Sequence, residues 1–348
     1  MKVLCMHAAG LGELVAISLR ADVGADVLYA DESAVLISTR SPESKLSSLA
    51  YVKNSFVVIG SVPRRRDLAQ AIDPVSRQVP GWPLRRTGKP YRLMFSDNGK
   101  LTGVPGNSRS RLEAAVSRAT GGRLLPRGGG DEYWTLSRSG LEEVLFCRRL
   151  ARPKRPEPPK GALAPDVAQL IVNALGRSRA DDVILDPFAG SGALIAARID
   201  RPYREAICSD LGYADGSARL QPQLARRAGV RTIADDARQL VSIPDDTVDV
   251  VITDPPWGEF DRTDSPPTEL VAAALGSIRR VLRENGSLVM LVARRLAGDI
   301  AADWADTGFK IKKSYELLIN GHPATLFVGS PIATPAEEHP AATPVRGS

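Results

Sequence analysis

The residues of this chain best suited to chemistry are Asp254-Pro255-Pro256-Trp257, which follow the mostly apolar run Val248–Ile252. A carboxylate can accept one N–H of a planar amine, and a proline carbonyl can accept another. Trp257 adds a flat face on which a base can stack. The tetrapeptide is therefore suited to hold the NH2 group of a planar molecule, although the same letters also describe a proline-rich turn with a buried tryptophan.

Acids also follow three other short apolar segments of the C-terminal half. The four acids at the ends of predicted strands are Asp186, Asp210, Asp236 and Asp254. These strands alternate with helical segments, which predicts a parallel, doubly wound α/β sheet, and a final hairpin is predicted at one sheet edge. Ligands bind at the carboxyl ends of the strands in such sheets, so we expect the four carboxylates along one rim.

The first three strand ends predict a site for an adenosine with an amino-acid tail. Gly190 and Gly192 allow a ligand close to the backbone where a helix opens, and Asp210 stands where an acid binds ribose hydroxyls. Asp236 can accept from the adenine amine while the Ala237 N–H donates to a ring nitrogen. Together these features indicate S-adenosylmethionine. The predicted cofactor site comprises Asp186, Phe188, Ala189, Gly190, Gly192, Asp210, Asp236 and Ala237.

A nicotinamide dinucleotide is the main alternative cofactor. The loop reads GSGAL and lacks the G-x-G-x-x-G spacing of dinucleotide sites. The Asp-Pro-Pro-Trp motif has no task in a hydride-transfer enzyme. Both observations favour a methyl donor.

Charge is distributed unevenly along the chain. Residues 1–160 hold 26 Lys and Arg against 15 Asp and Glu, whereas the whole chain has a net charge of +6. A basic module joined to a mildly acidic one indicates a polyanion-binding function. The residues predicted to bind the polyanion lie on a helix and its flanking loops and are Arg85, Arg86, Lys89, Arg109, Arg111, Arg118, Arg123 and Arg127.

Other classes of protein have little support. The three Cys and three His residues are scattered, which argues against disulfides and against a metal site. We find no apolar run of about 18 residues that would cross a membrane and no signal peptide, so the expected location is cytoplasmic. Residues 151–160 read ARPKRPEPPK, and their prolines predict a linker between domains.

The C-terminal motifs resemble those of Rossmann-fold S-adenosylmethionine-dependent amino-methyltransferases. The matching segments are DPFAGSG, Asp210, Asp236-Ala237 and TDPPWG, and YELLINGHPATLFV at 315–328 is similar to the closing hairpin of the THUMP-domain RNA guanosine N2-methyltransferases. The resemblance implies five segments. They are a ferredoxin-like domain at 1–62, a THUMP-like RNA-binding domain at 63–150, the linker at 151–160, a methyltransferase domain at 161–330 and a disordered tail at 331–348.

The resemblance implies methylation of the exocyclic N2 amine of a guanosine in tRNA, by in-line transfer at Asp254, Pro255, Pro256 and Trp257. In two places the chain departs from the pattern: Trp257 replaces the commoner Tyr or Phe, and Glu259-Phe260-Asp261 stands where relatives often carry a basic residue. The alternatives are a DNA adenine-N6 or cytosine-N4 methyltransferase, a protein glutamine methyltransferase and a non-catalytic RNA-binding partner. The modified nucleotide, the number of methyl groups and the oligomeric state stay open.

Overall fold

The computed structural model of the chain describes residues 1–151, 163–176, 178–258, 265–319 and 321–332. It divides into two compact units: Met1–Arg177 with Tyr315–Ala324, and Ser178–Ser314 with Thr325–Ser348. Most of the predicted linker, at 152–160, and most of the predicted disordered tail, at 333–348, lie outside the described residues.

The first unit is built on one mixed sheet of eight strands. In chain order they are β1 Lys2–Met6, β2 Asp26–Ala30, β3 Ala34–Ser38, β4 Asn54–Pro63, β5 Tyr91–Asp97, β6 Lys100–Leu101, β7 Asp131–Ser137 and β8 Glu143–Arg149. Their order across the sheet is β2-β3-β1-β4-β8-β7-β5-β6. Strand β4 pairs with β1 on one side and with β8 on the other, so a single sheet spans the predicted boundary at residue 62. The division into ferredoxin-like and THUMP-like parts stays a prediction.

The described residues of the first unit form five helices. They are α1 Gly12–Val23, α2 Glu43–Ser48, α3 Leu68–Gln78, α4 Gly106–Thr120 and α5 Pro165–Ala174. Helices α3 and α4 share an apolar core with β4, β5, β7 and β8 because each presents one buried stripe to the sheet. Helix α5 groups with this unit, whereas the predicted methyltransferase domain begins at residue 161.

The remaining strands form a seven-stranded sheet. They are β9 Val183–Asp186, β10 Glu205–Ser209, β11 Val230–Ile233, β12 Val248–Thr253, β13 Leu282–Ala293, β14 Phe309–Ile319 and β15 His322–Pro331, in the spatial order β11-β10-β9-β12-β13-β15-β14. The pairs within β9 to β13 are parallel. Strand β9 is buried at every position, as expected for a parallel strand covered on both faces.

The helices that accompany this sheet are α6 Ala193–Arg198, α7 Pro222–Ala225, α8 Pro267–Val281 and α9 Ala297–Asp306. The apolar faces of α8 and α9 join the strands in a core that includes the fully buried Trp304. The chain first adds β10 and β11 on one side of β9 and then returns to add β12 on the other side. The predicted doubly wound α/β fold is therefore confirmed, with the β14–β15 hairpin at one edge, and its topological switch point lies between β9 and β12.

Candidate active site at the carboxyl ends of the parallel strands

The parallel pairing places the carboxyl ends of β9 to β13 at one edge of the sheet. Strand β9 ends at Asp186, and Asp210 and Asp254 directly follow β10 and β12. Asp235 and Asp236 come shortly after the end of β11. Four predicted site acids thus follow neighbouring strands, as the sequence pattern requires for a shared ligand site.

Asp186 is an almost fully buried carboxylate at this edge, with only 2% of its surface exposed. Its Oδ1 accepts the hydroxyl of Thr253 at 2.8 Å and the N–H of Phe188 at 3.1 Å. Burial raises its pKa to about 7, and the Asp254 and Asp210 carboxylates also raise it, against the two hydrogen bonds. Asp210 and Asp254 therefore each lie near enough to Asp186 to interact with it electrostatically.

The loop between β9 and α6, residues 187–192, is the first loop of this sheet edge, and it contacts the end of β10. The Ala189 N–H donates to the Ser209 carbonyl at 3.0 Å, and the Gly190 N–H donates to Oδ2 of Asp210 at 2.8 Å. Gly190 has a φ of +50°, and a side chain there would meet no heavy atom within 4 Å, so the backbone borders open space. This is the geometry expected where a ligand approaches the chain closely.

Gly192 has a packing reason to be glycine. Its φ is +79°, and a Cβ at this position would collide with the side chains of Leu220 and Leu224. L side chains also rarely adopt this backbone conformation. The role of both glycines in allowing a ligand close to the backbone stays a prediction.

The sequence analysis missed Tyr213, which lies in the short 3-10 turn after Asp210. Its hydroxyl donates to the Gly190 carbonyl at 2.7 Å, while Asp210 accepts the N–H groups of Gly190 and of Gly212. Burial raises the pKa of Tyr213, helped by the neighbouring Cys208, Asp210 and Asp186, so the phenol stays protonated and can donate. The residues that follow β10 thus bind the loop at two backbone groups: Asp210 accepts the Gly190 N–H, and Tyr213 donates to the Gly190 carbonyl.

The third strand end contains two acids with different partners. Asp236 is ion-paired with Arg238 at 2.6 Å, and this hydrogen bonding lowers its pKa. Asp235 is buried and accepts from the N–H and hydroxyl of Ser242 at 2.7 and 2.9 Å. Ala237 is buried, and its carbonyl accepts from Ser277. The binding of adenine by Asp236 and Ala237 stays a prediction, in which Asp236 would have to share its acceptor oxygens with Arg238.

In the Asp-Pro-Pro-Trp motif, Pro255 is buried, and Asp254, Pro256 and Trp257 are half-buried. The indole N–H of Trp257 donates to Oδ1 of Asp254 at 2.9 Å, a contact that the sequence analysis did not anticipate. The guanidinium of Arg295 donates to the Trp257 carbonyl. The tryptophan therefore orients the carboxylate of the motif, in addition to any role of its ring as a stacking surface.

The motif closes with Gly258, which has a φ of +77° and no room for a Cβ beside Pro267, the first residue of α8. Residues Glu259, Phe260 and Asp261, where the sequence departs from the family pattern, lie outside the described residues.

All eight predicted RNA-binding residues are exposed. Loop 81–90, which holds three of them, is tied to the end of α4 by a hydrogen bond from Gly88 to the Thr120 carbonyl at 3.0 Å. Arg111 differs from the others because it forms two hydrogen bonds with the Asp73 carboxylate, at 3.0 and 2.8 Å. Its charge is already compensated, which weakens its case as a phosphate contact.

Within the described residues, no group of three or more His, Cys, Asp and Glu side chains could hold a metal ion. The helices in those ranges are all too short or too polar to span a bilayer.

Comparison with known proteins finds a family model that matches part of the second half of the chain. Residues 216–315 match the family model UPF0020, described as an RMKL-like methyltransferase domain. The sequence resemblance to methyltransferases is thereby confirmed.

The tRNA (guanine(10)-N2)-dimethyltransferase of Methanothermobacter thermautotrophicus is 32% identical over 202 residues. That match covers 54% of this chain and 58% of the relative, so the chain spans little more than half of the relative's length.

Two solved structures share the fold of nearly the whole chain. The structure of TrmN from Thermus thermophilus is 19% identical, has a TM-score of 0.68 and covers 95% of this chain and 99% of its own. The structure of SMU.472 complexed with SAH is 14% identical, has a TM-score of 0.65 and covers 96% of this chain and 98% of its own. At these identities the two structures establish the fold.

Proposed function

We propose that this protein transfers a methyl group from S-adenosylmethionine to the exocyclic N2 amine of a guanosine in tRNA. The observation that carries the proposal is the position of the Asp-Pro-Pro-Trp motif. It directly follows β12, on the opposite side of the switch point from the loop between Asp186 and Asp210. An amine acceptor and a cofactor would therefore meet at the same edge of the sheet.

The cofactor assignment rests on the first loop and on charge. Gly190 borders open space beside Asp210, whose carboxylate is placed for ribose hydroxyls. The Asp210 carboxylate beside this loop also gives a negative potential, which favours a sulfonium cation. The fold neighbour crystallised with SAH has the demethylated form of the same cofactor, in agreement with this assignment.

The acceptor side would orient a weak nucleophile. The N2 lone pair of guanine is delocalised into the ring, and hydrogen bonds from the amine to the Asp254 carboxylate and the Pro255 carbonyl would favour a pyramidal nitrogen. The nitrogen would form its bond to the methyl carbon as the bond from that carbon to sulfur breaks. The sulfur keeps the bonding pair as a neutral thioether, and the methylated, cationic nitrogen releases one proton to solvent. Proximity and alignment supply most of the rate enhancement, and Trp257 would stack on the base once it has left its helix.

RNA as the substrate is supported by the basic first half and by the archaeal relative, whose name specifies tRNA guanine N2. We assign tRNA contacts to the exposed basic residues of the first unit. Under this proposal those contacts are mainly to phosphates, so affinity should fall steeply with salt.

The test is incubation of the purified chain with methyl-labelled S-adenosylmethionine and, separately, total tRNA, duplex DNA and a release-factor protein. We expect label in tRNA alone, recovered as N2-methylated or N2,N2-dimethylated guanosine by nucleoside mass spectrometry. Label in DNA or in protein but not in tRNA would replace this proposal with one of the rival methyltransferase classes. No label in any substrate would favour a non-catalytic RNA-binding partner.

The matched variant is Asp254→Ala. We expect it to abolish transfer while S-adenosylmethionine binding stays within about 3-fold of wild type, because Asp254 is assigned to the acceptor. A variant that methylates at the wild-type rate would refute the mechanism.

A further inference from the structure

Thr253 joins the two sides of the proposed site. It is the last residue of β12, immediately before Asp254, and its side chain is fully buried. Its hydroxyl donates to the same Asp186 oxygen that accepts the N–H of Phe188. One carboxylate oxygen therefore connects the strand that precedes the amine-binding motif with the first residues of the cofactor loop.

The hydrogen bond from Thr253 to Asp186 connects β12 and β9 beyond the last residues at which their backbones pair. The register of β12 and β9 pairs Val250 with Ile184 and Val251 with Leu185, before either strand reaches its end. Beyond these positions the two strands separate at the switch point, and the side chains of Thr253 and Asp186 bridge them at 2.8 Å. The bridge thus lies at the edge of the sheet where donor and acceptor have to be aligned.

A purely structural bridge would not need a buried charge. Burial raises the pKa of Asp186 to about 7, which shows that the carboxylate is costly to keep ionised in this position. Two apolar side chains would join the strands without that cost. Costly buried ionisable groups concentrate at functional sites, where their geometry matters more than stability.

We propose that Thr253 is a positioning residue for methyl transfer: its hydroxyl holds Asp186, and through Asp186 the cofactor loop, in register with Asp254. The inference rests on the proposed function, because this register matters only if a methyl donor and an amine lie on the two sides of the switch point. In-line transfer is sensitive to such alignment, since a displacement of about 1 Å can cost on the order of 100-fold in rate.

The test compares Thr253→Val, which keeps the shape but removes the donor, with Thr253→Ser, which keeps the donor. Both are made in the full chain and assayed with tRNA and S-adenosylmethionine. We expect the valine variant to lower kcat by about 10- to 100-fold, with the KM for tRNA and the Kd for S-adenosylmethionine within about 3-fold of wild type. The serine variant should restore kcat to within about 3-fold of wild type.

The pH profile gives a readout that a structural role would leave unchanged. Loss of the Thr253 hydroxyl removes a donor to the ionised form of Asp186, so the acid limb of kcat should move to higher pH in the valine variant. The titratable groups that interact with Asp186 are Asp210, Asp254, Cys208 and Tyr213. None of these is changed in the variant, which assigns the shift to Asp186.

The outcomes separate the two proposals. If wild type methylates tRNA while Thr253→Val has an unchanged kcat and pH profile, the positioning role is refuted and the proposed function stands. If Thr253→Ser loses as much kcat as the valine variant, packing and not the hydroxyl is responsible, which also refutes it. Should the valine variant not fold, Thr253→Cys replaces it, since a thiol is a much weaker donor, and the same outcomes apply. A wild-type chain that transfers no methyl to tRNA overturns the function itself.

Discussion

The hydrogen bond between the Trp257 indole and the Asp254 carboxylate allows a sharp test of the amine-binding motif. Trp257→Phe removes the N–H that donates to Oδ1 at 2.9 Å and keeps an aromatic face for the base. A hydrogen bond to a charged group contributes about 1.5–3 kcal/mol when buried. Because Asp254 and Trp257 are only half-buried, we take a value at or just below the lower end of that range, about 1–1.5 kcal/mol.

If this bond fixes the carboxylate in the orientation that the amine requires, its loss raises the barrier by the same amount. Since about 1.4 kcal/mol corresponds to a factor of ten in rate, kcat should fall about 5- to 10-fold. The KM for tRNA should change little, because the phenyl ring still stacks. Trp257→Ala should in addition raise that KM, since stacking of a base on an aromatic side chain contributes about 1–3 kcal/mol.

The assay is steady-state methylation of tRNA by wild type and by the two Trp257 variants. Trp134→Phe is the matched control, because the Trp134 indole donates to a Glu132 oxygen in the first unit at 3.1 Å. We expect this control to keep kcat within about 2-fold of wild type. A Trp257→Phe variant with the kcat of wild type would show that the indole N–H does not orient Asp254 for the reaction.

Two further predictions follow from the electrostatics. Burial raises the folded-state pKa of Asp186 to about 7, above its unfolded value of about 4. Between these pH values the native state binds more protons than the unfolded state. Asp186 therefore destabilises the fold increasingly as pH rises from about 4 to about 7. The melting temperature of Asp186→Asn should therefore exceed that of wild type by more at pH 8 than at pH 5. The same difference in melting temperature at both pH values would contradict the raised pKa of Asp186. In the first unit, Arg86→Gln should weaken tRNA binding and reduce the slope of log K against log salt by about 0.7–0.9, whereas Arg111→Gln should change it less because Asp73 already pairs with Arg111. If Arg86→Gln and Arg111→Gln had equal slopes of log K against log salt, the ion pair with Asp73 would not set Arg111 apart from Arg86 in tRNA binding.

The strand ends of the second half could be read from the sequence because parallel strands have a simple local signature. Val248–Ile252 is a mostly apolar run that is soon followed by an acid, and the structure has β12 at Val248–Thr253. The strand order then follows from the alternation of strands and helices, which leaves few topologies.

The first half was harder to read because its signals conflict. Helix α3 was missed because Pro74 lies inside it, although Leu68, Ala71, Ile72 and Val75 form its buried stripe. A proline in the interior of a helix removes one backbone hydrogen bond, and here the packing of the buried stripe on the sheet outweighs that loss. Strand β1 is likewise hard to predict from local sequence, since it pairs with β3, about 30 residues further along the chain.

Side-chain partnerships within the site could not be predicted from the sequence. Thr253 and Tyr213 carry no motif of their own, and their roles depend on Asp186 and Gly190, which lie far away in the chain but adjacent in the sheet. The sequence placed the acids at the strand ends, whereas the partners of each acid, such as Arg238 for Asp236, depend on local turn geometry.

The central claim is that a sulfonium donor binds beside Asp210 at this edge of the sheet, and calorimetric titration of the purified full chain with S-adenosylmethionine tests it most directly. We expect one molecule to bind per chain, with affinity at least about 10-fold weaker in Asp210→Ala, which loses contacts to the ribose and to Gly190. The control Asp215→Ala changes an exposed acid of the same loop and should bind as wild type does. Absence of binding to the wild-type chain, or equal affinity in the Asp210 variant, would contradict the account.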